Sequence, residues 1–370
     1  MRMGWILAAA AVVLVGGTGA GVSAQAADIR PAGATVVLPA GLPRYYIEDG
    51  IKKPRSGQTE TLVRRTATGA VTATIRCPRL PAGEEISNIA AADHHAFFLA
   101  CDRVLQRGAN SVVTGSRIYR FLITAAGRVS SYSLVRGAVL DGLRTGSLAA
   151  TPDGSQIAVT VAPGASSAEI AKIMVINTRT AEHVVWQNRP AVPGTIRFNV
   201  GDLSFARHGH ELAFLTQPRC VHAAGAPPCK VDGGEEVRAL NPAAGGLLGS
   251  SRVLLRQSKI MRLSKGYIND AVVSPGGSAL TLAIVGVGAS SNSSGVSVVR
   301  YSAATDKRLR ILYRIPTGNG FFYRFFSADP SGRYLLLDAG PISGAVNGWI
   351  DHGRLVRLKP AGDNVFFEVW

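Results

Sequence analysis

Two histidines one residue apart, His208 and His210, place imidazoles on the same face of an extended segment, a spacing that a metal ion can use. They flank Gly209 on a hairpin edge, with no third histidine nearby and Glu211 as the one adjacent acid, which falls short of a four-ligand structural site and favours an exposed turn. Asp93-His94-His95 reads the same way. The chain has no G-x-S-x-G nucleophile elbow, no phosphate-binding P-loop, no H-E-x-x-H, no EF-hand loop and no G-x-G-x-x-G after a strand. The chemistry left to consider is a polar set that recurs by position. Asn88, Ser147, Asp202, Asp270 and Phe325 each stand seven residues before the same point of a repeated turn. Two carboxylates and an amide can hold a hard divalent cation such as Ca²⁺ through oxygen ligands, which makes Asn88, Asp202 and Asp270 the metal-ligating set if there is one. Arg144, Asn199, Tyr323 and Arg324 lie just upstream of that set and extend it as a ligand-binding group. Asn and Asp before a strand are equally ordinary turn residues that bond their own backbone.

The elements that must position this set are visible as repeats. Five stretches share one design, a small-residue strand, a four-residue turn and an apolar strand. They start at Ile89, Leu148, Leu203, Val272 and Phe326. The turn is clearest at Thr151-Pro152-Asp153-Gly154, where Pro presets φ, Asp tolerates the next position and Gly accepts the strained exit. Gly209, Gly277 and Gly332 fill the same slot, and His95 is the deviant copy. Between these hairpins lie six further strand pairs, turning around Gly69, Gly127, Ala181, Gly245, Asp306 and Gly353. Alternating Val, Ile, Leu, Tyr and Phe with frequent turn signals predicts half-buried strands. An inner and an outer hairpin make one four-stranded antiparallel sheet, so the fold expected is all-β, with about six sheets repeated radially. In such a ring the innermost strands line the axial channel, and the polar set is expected near one mouth.

The ϕ-x-x-S/T-P-D-G-x-x-ϕ-A-ϕ hairpin resembles the repeat of the bacterial TolB-type, WD40-like β-propellers, over most of the chain after its first residues. The copies at Asp93-His94 and Arg207-His208 depart from it at the Pro-Asp positions, and the Gly-His and Trp-Asp signatures of WD40 repeats are absent. The resemblance implies a six-bladed propeller of four-stranded blades, closed by one terminus adding a strand to the sheet of the other. Thr35 to Leu38 or Val365 to Trp370 can serve, because the first unit has only Thr35 to Leu38 and Arg44 to Asp49 as inner-strand candidates. Six-bladed lactonases, similar in this respect, polarise a substrate carbonyl with an acidic and amide ring.

The first residues read differently. Arg2, an apolar run from Trp5 to Val15 and the small-residue site Val22-Ser23-Ala24 form a secretory signal pattern, too short for a good membrane span. Residues 1–24 are therefore expected to be a signal peptide, 25–34 a flexible leader and 35–370 one propeller domain, with an uncleaved anchor as the alternative. In an oxidising compartment the four cysteines become candidate disulfides. Proximity favours Cys220 with Cys229 and Cys77 with Cys101 among three possible pairings. The net charge of +16 favours anionic partners, whether nucleic acid, acidic lipid or anionic wall polymers, and export makes nucleic acid the least expected of these and the cell envelope the most. The basic residues are scattered, however, and not interleaved with aromatics. The function expected is a monomeric, exported, non-catalytic binding scaffold for a protein or peptide at the cell envelope, without a cofactor. The alternative is a secreted divalent-metal hydrolase of the lactonase type.

Overall fold

A computed structural model describes residues 39–52, 59–78, 84–107, 110–164, 172–190, 196–220, 234–264, 266–286, 295–315, 321–341, 346–351, 354–358 and 367–369. The segments expected to be a signal peptide and a leader, Thr35 to Leu38 and Cys229 lie outside these residues.

Six sheets form a ring, each an antiparallel meander whose first strand is innermost. Blade 2 starts with Glu84–Ala91, blade 3 with Leu143–Ala150, blade 4 with Ile196–Ala206, blade 5 with Gly266–Val273 and blade 6 with Phe321–Ala328. Blade 1 is assembled from both ends of the chain. Its innermost strand is Phe367–Val369, which pairs antiparallel with Tyr45–Lys52 through Ile47 with Val369 and Asp49 with Phe367. The C-terminal segment, of the two candidates, thus closes the ring. Each innermost strand touches that of the next blade, and Phe367–Val369 touches those of blades 6 and 2.

The second strand of each blade is buried on both faces, which is why it reads as a run of apolar residues rather than a strict alternation. In Ala96–Arg107, Phe97 packs into the seam with blade 1 and Phe98 into the seam with blade 3. One apolar cluster fills each of the six seams. The seam closing the ring packs Tyr46 of blade 1 against Tyr334, Leu336 and Trp349 of blade 6. Burial of each such side chain is worth roughly 1.5–3 kcal/mol.

Two features depart from six identical meanders. Gly246–Leu247, in the outer connection of blade 4, pairs in parallel with His183–Gln187 and adds a fifth strand to blade 3. An eight-residue helix, Gln257–Ser264, follows the last strand of blade 4 and buries Ile260 in the seam with blade 5. The expected Cys77–Cys101 disulfide is present, with a Cα–Cα distance of 6.0 Å. It ties the end of blade 1 to the second strand of blade 2.

The inner turns follow the sequence closely. The N–H of Gly154, Gly277 and Gly332 each donates to the carbonyl three residues earlier at 2.8 Å. Gly332 has φ +67°, and a Cβ there would come within 2.6 Å of Pro275 Cδ in the turn of blade 5. Gly209, at φ +90°, meets Thr151 of blade 3 in the same manner. Glycine therefore serves both the left-handed backbone and the close approach of successive turns. The deviant copy in blade 2 solves the turn with a side chain. Asp93 Oδ1 accepts the backbone N–H of His95 at 2.7 Å and of Ala96 at 2.6 Å.

Candidate functional site in the axial channel

The innermost strand of each of blades 2 to 6 breaks register once, and the break recurs at the same place. It falls between Ile86 and Asn88, Thr145 and Leu148, Gly201 and Ser204, Ile268 and Asp270, and Tyr323 and Phe325. A bulge leaves residues outside the ladder and re-aims their side chains. Asn88, Ser147, Asp202, Asp270 and Phe325 all lie at or beside these bulges. They sit near the middle of their strands rather than at the start.

Four of the five, Asn88, Ser147, Asp202 and Asp270, line an axial cavity of about 360 Å³, with Asn269 beside them. Asp202 adopts a left-handed φ of +44°, a conformation that Asp and Asn tolerate better than most residues. Its N–H donates to Ser147 Oγ of the preceding blade at 2.9 Å. Its carboxyl is hydrogen-bonded to that of Asp270 in the following blade. Burial pushes the Asp202 carboxyl up to about 6, a rise that the bond to Asp270 partly offsets. Asp270 is itself buried, and its Oδ1 also accepts the N–H of Ala271 at 2.9 Å. Three successive blades are thus linked by polar contacts across their bulges. The buried Asp202 carboxyl therefore keeps its proton to higher pH than an exposed aspartate does.

The other end of the cavity is formed by the inner turns, with Pro152, His208, Pro275, Asp329 and Pro330. Asp329 is fully enclosed and accepts the N–H of Tyr334 at 2.7 Å and of Ser331 at 3.1 Å. His94 Nε2 approaches its Oδ2 at 3.6 Å. Burial alone would raise Asp329, but His94, Ser331 and Tyr334 outweigh it and hold the carboxyl below its usual range. His94 belongs to blade 2 and Asp329 to blade 6, so the contact passes over blade 1, whose innermost strand has no hairpin partner of its own.

Of the residues singled out from sequence, Arg144 and Asn199 stand on innermost strands but are not among those lining the cavity. The backbones of Tyr323, Arg324 and Phe325 belong to Phe321–Ala328, while their side chains lie outside the described structure. His208 and His210 are exposed. Among the described residues no third metal-ligating side chain joins them. Sequence reasoning missed Asn269, because counting back from the turn selects a single position and the bulge presents two. It also missed Asp329, which occupies the first turn position where Thr151 stands in blade 3. Among the described residues no helix is long and apolar enough to cross a membrane.

No protein-family model and no curated protein matches the chain. Solved structures do. TolB from Acinetobacter baumannii superposes over 88% of this chain and 66% of its own length, with a TM-score of 0.52 and 13% identity. The fold is shared with TolB. At that identity the likeness is one of fold alone, and this chain spans just under two thirds of the TolB length. A prolyl endopeptidase matches over 86% of this chain and 39% of its own, with a TM-score of 0.46 and 13% identity. A Bacteroides fragilis protein described as a 6-phosphogluconolactonase matches over 89% and 97%, with a TM-score of 0.41 and 13% identity. Neither of these two bears on function here.

Proposed function

We propose that the chain is an exported, non-catalytic binding module at the bacterial cell envelope, and that its axial cavity receives a basic group of a protein or peptide partner. The observation that carries this reading is the Asp202–Asp270 pair inside a cavity of about 360 Å³ at the ring axis. A concave site with a few convergent polar groups is the default ligand site of a fold, and two adjacent carboxylates favour a cation there. Export is supported by the signal-like first residues and the Cys77–Cys101 disulfide. The charge of +16 adds attraction to anionic envelope polymers.

The test compares wild type with an Asp202→Asn, Asp270→Asn variant, because Asn keeps the left-handed backbone that Ala would strain. Both are used to capture partners from envelope extracts and are titrated with a lysine-rich peptide. A partner and a peptide affinity lost only in the variant support the reading; equal binding by both defeats it. The same pair, with Asn88, is what favours the second reading, a divalent-metal hydrolase. Stoichiometric Ca²⁺ in purified wild type, absent from the variant, together with metal-dependent lactone hydrolysis, would establish that reading instead.

A further inference from the structure

The seam between blades 1 and 2 holds a second chemical constellation, far from the channel acids in sequence and on the other side of the blade 2 sheet from blade 3. Cross-strand register in blade 2 pairs Glu84 with Arg103, Ile86 with Cys101 and Cys101 with Arg117. Directly paired residues share a face, and residues two apart on a strand do too. Glu84, Cys101, Arg103 and Arg117 therefore point together toward blade 1, where Cys77 closes the disulfide. The two sulfurs and a Glu84 carboxyl oxygen all lie within 4.8 Å of one another. Both Glu84 oxygens are shut off from solvent without a hydrogen-bond partner, and so is Arg117 Nε. A purely structural disulfide needs no such neighbours. Buried groups left unpaired cost stability and call for an explanation.

We propose that Cys77–Cys101 is a reactive disulfide, opened by a small thiol whose thiolate attacks Cys77 while Glu84 protonates the departing Cys101 sulfur. Access sets the direction, because Cys77 is partly exposed and Cys101 is completely buried. The attacking sulfur forms a bond to Cys77 Sγ as the bond between the two protein sulfurs breaks. The electron pair leaves on Cys101 Sγ, which takes the Glu84 proton and becomes a thiol. A second thiol then attacks the mixed disulfide, releasing the oxidised small disulfide and the Cys77 thiolate, which is protonated from water. In sum two thiols are oxidised and the protein disulfide gains two electrons and two protons. Burial raises the Glu84 carboxyl despite Arg117 and Arg103, so it keeps a proton to higher pH than an exposed glutamate. Arg117 and Arg103 are the charged groups that face it, and their pull toward the ionised carboxylate is outweighed by burial. The consequence is release of the covalent tie between blades 1 and 2, next to the seam that closes the ring.

The test follows reduction of the folded protein by glutathione between pH 6 and 8, with rates divided by the glutathione thiolate concentration. In wild type the corrected rate should rise as pH falls. Glu84→Gln should be at least tenfold slower at pH 6 and show a flat profile, while Glu84→Asp should restore the slope. Peptide mass analysis of the wild-type intermediate should find glutathione on Cys77, a readout that needs no variant to fold. Glutathione on Cys101, identical rates and slopes in wild type and Glu84→Gln, or reduction only after denaturation would each overturn the proposal.

Discussion

Asp202 answers two demands at one position. Its left-handed φ at the bulge restricts the residue types that sit there comfortably, and its carboxyl joins Asp270 in the channel. The second demand has a cost. A folded value of about 6 exceeds the ordinary 3.8, so between those pH values the folded chain binds the proton more tightly than the unfolded chain does. Stability from this group is thus greatest at low pH, falls as pH rises from about 4 to 6, and is flat above. Asp329 and Asp153 are held low and run the opposite way, gaining stability as pH rises from the acid side. Asp202→Asn isolates the first contribution. The difference in melting temperature, variant minus wild type, should grow between pH 4 and 6.5 and then plateau. A difference independent of pH would mean that burial does not raise the Asp202 carboxyl.

At the scale of elements, the inner turns and the bulges divide the work. The turns hold successive blades in contact, and the bulges turn side chains into the channel. Asp329 shows how one turn is secured, since its enclosed carboxylate bonds the N–H groups of Ser331 and Tyr334. Asp153 bonds Thr151 Oγ1, Ser155 Oγ and the Ser155 N–H from a solvent-facing position. Asp329→Ala should cost about 2 kcal/mol at neutral pH, because it strands buried donors. Asp153→Ala should cost less than half of that, since water replaces the lost partner. Chemical denaturation of the two variants checks the ranking, and equal losses would show that burial of the carboxylate is irrelevant. The turns were legible because Pro, Asp and Gly each leave a mark in sequence. The bulges were not, because Asn269-Asp270 and Asp202-Leu203 look like ordinary strand residues until a neighbouring strand defines the register.

At the scale of the molecule, the ring depends on a short strand borrowed from the far end of the chain. Phe367–Val369 supplies the inner edge of blade 1 and touches the innermost strands on both sides. Without it, Tyr45–Lys52 becomes an open edge beside the channel. Deleting residues 362–370 should broaden the single thermal transition or split it in two, with blade 1 amides exchanging fastest by hydrogen exchange. A deletion variant that melts as sharply and as late as the full chain would show that closure rests on the apolar seams alone. The disulfide is the independent tie on the other flank of blade 1. It closes a loop with a sequence separation of 24, and Cys77→Ala with Cys101→Ala should cost about 3 kcal/mol.

What the amino-acid order determined by itself was everything that depends on local chemistry. The five inner turns, the six outer hairpins and hence six blades follow from turn residues and apolar alternation that act over a few neighbouring positions. The same local logic picked out Asn88, Ser147, Asp202 and Asp270 as equivalent positions. Only the tertiary structure decided that the C-terminal strand closes the ring, that Gly246–Leu247 joins a neighbouring blade, that Asp202 meets Asp270 and that Glu84 lies against a disulfide. Each of these is a contact between residues distant in sequence, set by strand register and by the angle between blades. Neither quantity is carried by any short stretch of chain, because register and blade angle exist only once neighbouring sheets have packed.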